Sequence, residues 1–295
     1  MNKVRKPSVA GSFYSSDKNI LNNDIKNCFI HNFGPGQIPS VSESENHRIK
    51  GVIVPHAGLI YSGPIAAHSY LSIAQDGFAD CFIIIGPNHR GIGSSVGIYP
   101  PGKWESPNGE ILMDDKLINE ISRDIIDINE NSHPYGENSI EVQLPFLNYI
   151  SDHRKFTVVL ISMALQDFEI SLKVGEILAD VIRKETRKII MIASSDFSHE
   201  GFPYGRLPPK NLSADLFAKK QDNLAIEKIK KFDAQGLINS VYSNNISMCG
   251  YGPIASILVA SKKIGAKKVE LLKYITSNDI EPNDYCVGYG AFKII

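Results

Sequence analysis

The chain has 295 residues, 43% hydrophobic and 21% charged, with 31 lysines and arginines against 32 aspartates and glutamates. At this length folding buries roughly three quarters of the unfolded chain's surface, so no disulfide scaffold is needed, and a near-neutral charge gives nucleic acid no electrostatic reason to bind. The four cysteines, Cys28, Cys81, Cys249 and Cys286, form no Cys-x-x-Cys pair, which argues against a zinc ribbon. The amino terminus lacks the apolar core of a signal peptide, and no apolar run reaches the roughly 18 to 20 residues of a membrane span, so a cytoplasmic protein without a membrane partner is expected.

Taken in chain order, Asp17 to about Phe33 has helical spacing and is stopped by Phe33-Gly-Pro-Gly-Gln-Ile-Pro39. Residues 36–48 read as an exposed loop. A strand at 51–55 precedes a helix from about Ser62 to Ala74, and a second strand is expected at 81–85. The segment 94–114 reads as a hairpin in the mixed part of a sheet. Helices at 115–123 and 137–149 lead to a strand at 156–162, a helix at 167–184 and a strand at 188–193. The Pro- and Gly-rich stretch 202–213 reads as a surface loop, with a lid as one use. Helices at 214–230, 233–242 and Gly252 to Lys263 precede two closing strands, 268–275 and 285–292. With no internal repeat or linker, residues 1–295 are expected to form a single three-layer α/β/α domain with a mixed sheet.

Three of the apolar runs end on histidine-bearing turns: Gly51-Val-Ile-Val-Pro-His56, Cys81-Phe-Ile-Ile-Ile-Gly-Pro-Asn-His89, and Ile189-Ile-Met-Ile-Ala-Ser-Ser-Asp196-Phe-Ser-His199. Ligands of open α/β sheets bind beyond the carboxyl ends of strands, so the three histidines are aimed at one edge. Taken singly, a loop histidine is more often a hydrogen-bonded structural residue than a ligand; His56 and His89, both following buried strands, are harder to dismiss. Asp196 is placed either to orient a histidine, His199 or one from another strand, or to cap a short turn. Cys249, just before the helix that Pro253 opens, gains thiolate character from the helix amino terminus, or else is a small packed cysteine. Cys28, Cys81 and Cys286 read as core fillers. Glu137 and Glu141 fall on one face of the expected 137–149 helix, a solvated face unless Asn138, Glu141 and Gln143 support a pocket. His31, His47, His68 and His153 read as structural or solvated.

These segments, with Arg5-Lys-Pro-Ser-Val-Ala-Gly-Ser-Phe-Tyr14, Pro55-His-Ala-Gly-Leu-Ile-Tyr-Ser-Gly63, Glu137-Asn-Ser-Ile-Glu-Val-Gln-Leu-Pro-Phe146 and Cys249-Gly-Tyr-Gly-Pro253, resemble the Memo family, known in prokaryotes as AmmeMemoRadiSam system protein B. The resemblance runs from residue 5 to the carboxyl terminus. It implies similarity in fold to the class III extradiol non-haem iron dioxygenases, metal ligands at His56, His89 and Cys249, and His199 in the place of the acid-base histidine with Asp196 beside it. It also implies functional association with a radical SAM protein and an Ammecr-like protein. One departure is visible: Asn138 stands where the family usually has histidine.

Two imidazoles and a carboxylate make the usual non-haem iron(II) site; here a thiolate would be the third ligand, which brings copper(I) and zinc into competition with iron(II). The leading expectation is a metal-dependent redox or dioxygenase-like protein acting on an unidentified small molecule or peptide. A non-catalytic peptide- or partner-binding module on the same fold is the second. The third is a metal-free thiol hydrolase in which Cys249 attacks with His199 as base and Asp196 as orienter.

Overall fold

Runs such as Ile83-Ile84-Ile85 leave no polar face to set against water, so they form strands only where both sides of the sheet are covered. A computed structural model describes residues 3–43 and 47–295. The elements in chain order are β1 (Lys3–Arg5), α1 (Lys18–Ile30), β2 (Gly51–Val54), α2 (Leu59–Gln75), β3 (Cys81–Pro87), β4 (Val96–Ile98), β5 (Gly102–Ser106) and β6 (Gly109–Met113). There follow α3 (Asp115–Ile121), β7 (Asp127–Ile128), α4 (Leu144–Ile150), β8 (Thr157–Met163), α5 (Phe168–Ile182), β9 (Ile189–Ser194) and β10 (His199–Glu200). The chain closes with α6 (Ala214–Lys230), α7 (Ala234–Asn244), α8 (Tyr251–Lys263), β11 (Val269–Thr276), α9 (Ser277–Ile280) and β12 (Cys286–Ile294). The expected loop at 36–48 falls partly on residues 44–46, which lie outside the described residues, as do the first two residues of the expected leaderless amino terminus.

The sheet runs β1-β5-β6-β8-β3-β9-β2-β12-β10, with β11 on β12 and β4 on β8. At its centre β8, β3, β9 and β2 are parallel, and every residue of β2, β3 and β9 is buried. Each fully buried isoleucine there contributes roughly 1.5–3 kcal/mol of transfer free energy. On one face α2 packs with α1 and α4, on the other α8 packs with α5 and α7. This is the α/β fold of three layers and mixed sheet that the alternation of elements implies. Among the described residues the antiparallel pairs are the β5–β6 hairpin, β4 on β8, and β12 with each of β2, β10 and β11. Helix α5 shows the local rules at work: Asp167 caps it by accepting from the Ile170 N–H, and Val174, Ile177, Leu178 and Val181 form the stripe it buries.

One expected element is replaced. Instead of a helix over 137–149, a turn through Gly136 leads to a single 3₁₀ turn at Glu141–Gln143, and only then does α4 begin. Tertiary hydrogen bonds override the helical spacing. The Glu137 carboxylate accepts from the backbone N–H groups of His89 and Ser139, and Ser139 Oγ donates to the Pro87 carbonyl, tying the segment to the end of β3. Glu141 faces the other way and accepts from the N–H groups of Ser8 and Val9 and from the Tyr14 hydroxyl.

Candidate metal centre

Because β2, β9 and β3 are adjacent and parallel, the loops that follow them leave the sheet side by side at its carboxyl edge. They carry His56, Asp196 and His89. Cys249 arrives from above, at the mouth of α8, and the approach is close: a Cβ on Gly250 would lie 2.6 Å from the Ser194 carbonyl oxygen. Only glycine lets the α8 loop sit down on the end of β9.

His56, His89 and Cys249 each present one ligating atom, and the three atoms lie within 4.8 Å of one another. Cys249 Sγ is 3.2 Å from His56 Nε2, and the two imidazole rings meet edge to face with centroids 5.3 Å apart. His89 Nδ1 donates to Glu137 Oε1 at 2.8 Å, which leaves Nε2 to face the sulfur.

The His56 tautomer follows from a chain of single-proton donors. Tyr70 donates to Gln143 Oε1, so Gln143 Nε2 gives its protons to the Pro55 carbonyl and to Ser194 Oγ. Ser194 spends its one hydroxyl proton on the Ser139 carbonyl. It must therefore accept from His56 Nδ1, 2.9 Å away, and neutral His56 carries its lone pair on Nε2, toward Cys249. Both imidazoles are thus oriented by a buried partner on Nδ1, the arrangement that metal-ligating histidines require.

The electrostatics are those of a coupled charge cluster. Burial raises the Cys249 thiol, but the facing His56 and His89 outweigh it and hold it down at about 5. Burial disfavours charge on His89, yet the hydrogen bonds to Cys249 and Glu137 push it up to about 10, and His56 is raised by Cys249 and Asp196 against the same penalty. Glu137, despite burial, is held at about 2 by His89. The Asp196 N–H donates to Cys249 Sγ at 3.2 Å, a further stabilisation of thiolate. Cys28, Cys81 and Cys286 have no such partners; burial pushes each up to about 12.

Asp196 serves His56: Oδ1 accepts from the His56 N–H at 2.8 Å and Oδ2 lies 4.0 Å from Nε2. It begins no helical turn and makes no hydrogen bond to His199. His199 is held by Ser247, whose hydroxyl accepts from the His199 N–H and whose carbonyl accepts from Nδ1–H, leaving Nε2 as the acceptor of the neutral ring. His199 and Asp196 line a cavity of about 440 Å³ that opens beside His56 and His89. Asn138 also lines it and donates to the His56 carbonyl.

Glu137, Ser194 and the tyrosines of the cavity carry no role in the sequence reading. Glu137 is hidden by its helical spacing from Glu141. A signal for one cavity wall does exist: Val287 and Tyr289 alternate along the last strand and so share a face, with Tyr285 in the same alternation just before it.

Fold and site together define an α/β protein with two histidines and a cysteine converging at the carboxyl edge of three parallel strands. The chain belongs to the Memo family: residues 5–293 match the family described as Memo-like protein. A MEMO1 family protein of Methanothermobacter thermautotrophicus is 40% identical over 289 residues, covering 97% of this chain and 98% of that one. Another, from Saccharolobus solfataricus, is 43% identical over 294 residues and covers 98% of both. The crystal structure of an uncharacterized protein from Escherichia coli K12 is similar with a TM-score of 0.53 at 12% identity, over 84% of this chain and all of that one, which shows a shared fold. Among the described residues no helix is long and apolar enough to cross a membrane.

Proposed function

We propose that the chain is a metal-dependent redox protein in which His56, His89 and Cys249 hold iron(II) or copper(I), with zinc as a competitor. The observation that supports this most is that both imidazoles are fixed through Nδ1, with Nε2 turned toward one thiolate. A site built only to activate a thiol has no need of the second histidine and its buried carboxylate. The donor set suits a soft or borderline ion, and a bound ion would supply a Lewis-acid or redox centre beside the cavity. Around it, Glu137 fixes His89, Ser194 fixes His56, and Asp196 braces the His56 backbone and the thiolate. His199, anchored on Ser247, presents Nε2 to the cavity, where it can accept a proton from a bound substrate and return it. The partners of this reading are a small-molecule or peptide substrate and, from the family resemblance, radical SAM and Ammecr-like proteins.

The test is anaerobic titration of metal-free chain with iron(II) and with copper(I), for the wild type beside Cys249→Ala. One ion per chain, lost in the variant, is expected; uptake that does not depend on Cys249 overturns the assignment.

The short contact between Cys249 Sγ and His56 Nε2 also favours a second reading, a metal-free thiol enzyme. Its base would be His56, braced by Asp196, in place of His199. Alkylation of Cys249 that iron(II) or copper(I) fails to block would support it.

A further inference from the structure

The cavity beside the candidate centre is asymmetric. Its inner end is formed by His56, His89, Asp196 and Asn138; its rim is formed by Tyr61, Tyr204, Tyr285 and Glu281. Tyr204 meets Tyr285 edge to face at 6.1 Å and His199 at 5.2 Å, so these rings make a continuous wall. Glu281 stands at the mouth, with Oε2 3.5 Å from the Tyr61 hydroxyl.

Two features point to a ligand. Tyr289, at the floor, is only 2% exposed as a residue, and its hydroxyl, the part left open to the cavity, makes no hydrogen bond to any described residue. That hydroxyl can donate to or accept from what enters. Second, no lysine or arginine is among the described residues lining the cavity; Asp196 is matched by His56 at the inner end, and Glu281 is the carboxylate left at the rim. A phosphate or carboxylate entering past the tyrosines would meet Glu281 with no lysine or arginine at the rim to offset it. A positively charged group would meet attraction from Glu281 and from the ring faces.

We infer that the cavity takes a small organic cation, a protonated or methylated amine, with its charge among the faces of Tyr61, Tyr204 and Tyr285 against Glu281 and its other end directed toward His56 and His89. The inference rests on the metal-centre reading only for what happens at that inner end. Selection at the rim is set by ring faces and one carboxylate, and it needs no metal.

Calorimetric titration of the purified chain with benzyltrimethylammonium, benzyl alcohol and phenyl phosphate separates charge from ring. The ammonium should bind about tenfold more tightly than the alcohol, and the phosphate more weakly than either. Glu281→Gln, at an exposed position, should reduce the ammonium affinity about fivefold and leave the alcohol unchanged, and Tyr204→Leu should reduce the ammonium preference further. Phenyl phosphate binding as tightly as the ammonium, or a preference untouched by both substitutions, overturns the inference. Cys249→Ala keeps the two readings apart. It should lose metal and retain the ammonium preference, whereas a wild type that takes no metal but shows the preference overturns the metal reading alone.

Discussion

Two buried regions of this protein hold histidines, and burial does opposite things in them. His133 sits under β4 and β5, against the rings of Tyr99 and Trp104, with Nε2 3.2 Å from the Gly97 carbonyl and Arg5 stacked on Trp104 at 4.3 Å. Burial dominates there, and the Arg5 charge adds to it, so the imidazole is held down at about 3 and stays neutral. At the carboxyl edge of β2 and β3, His56 and His89 are also withdrawn from water, yet a thiolate and two carboxylates face them and charge is favoured. Burial alone makes an inert histidine. Burial beside matched opposite charge makes a site.

The comparison can be broken first at Cys249. In metal-free chain, alkylation by iodoacetamide should rise with pH around about 5, the position set by the two imidazoles. In His56→Gln the inflection should climb by several units, to about 8.5 or higher, because burial then acts with less opposition. An unchanged profile would show that the imidazoles do not set the thiol.

The His133 region should reveal itself in acid. Its folded pKa is depressed, so the unfolded chain binds a proton that the folded chain refuses between 6.5 and about 3. Stability contributed by neutral His133 is present above 6.5 and is lost as pH falls through that window, by up to about 5 kcal/mol at roughly 1.4 kcal/mol per unit. Urea unfolding of His133→Gln should show a shallower acid limb than the wild type. His89 behaves in the opposite sense: with its folded pKa raised to about 10, its contribution in metal-free chain is present below 6.5 and is lost as pH rises through 10.

The two glutamates of the 137–143 segment divide along the same line. Glu141→Gln should cost about 2 kcal/mol in urea unfolding, since one amide oxygen cannot serve the Ser8 and Val9 N–H groups, the Ser8 hydroxyl and Tyr14. Cys249 alkylation should be unmoved. Glu137→Gln should leave the fold intact and weaken metal affinity about 10- to 100-fold, as loss of the carboxylate behind a ligating histidine does. Equal effects of both substitutions on metal affinity would remove the distinction.

The two glutamates also mark how far the sequence could be read. Strand ends are legible because a fully apolar run must be a covered strand, and residues just past such runs share an edge; that places His56, His89 and Asp196 together before any coordinates. Cys249 is legible as a helix-mouth thiol, and the Memo motifs bind all of these into one family. Glu137 is not legible. Helical spacing paired it with Glu141 on a solvated face, and only the closure of the chain, with the His89 N–H and Nδ1 in need of an acceptor, shows why no helix forms there. The same holds for His199, whose partner is Ser247, nearly fifty residues on, rather than the neighbouring Asp196. Side chains fixed by distant loops leave no local pattern.

The central claim is that two histidines and one cysteine bind a single ion. X-ray absorption at the iron edge of anaerobically loaded chain tests it most directly. The account predicts one sulfur and two imidazole scatterers, with the sulfur lost in Cys249→Ala; a first shell of nitrogen and oxygen alone would contradict it.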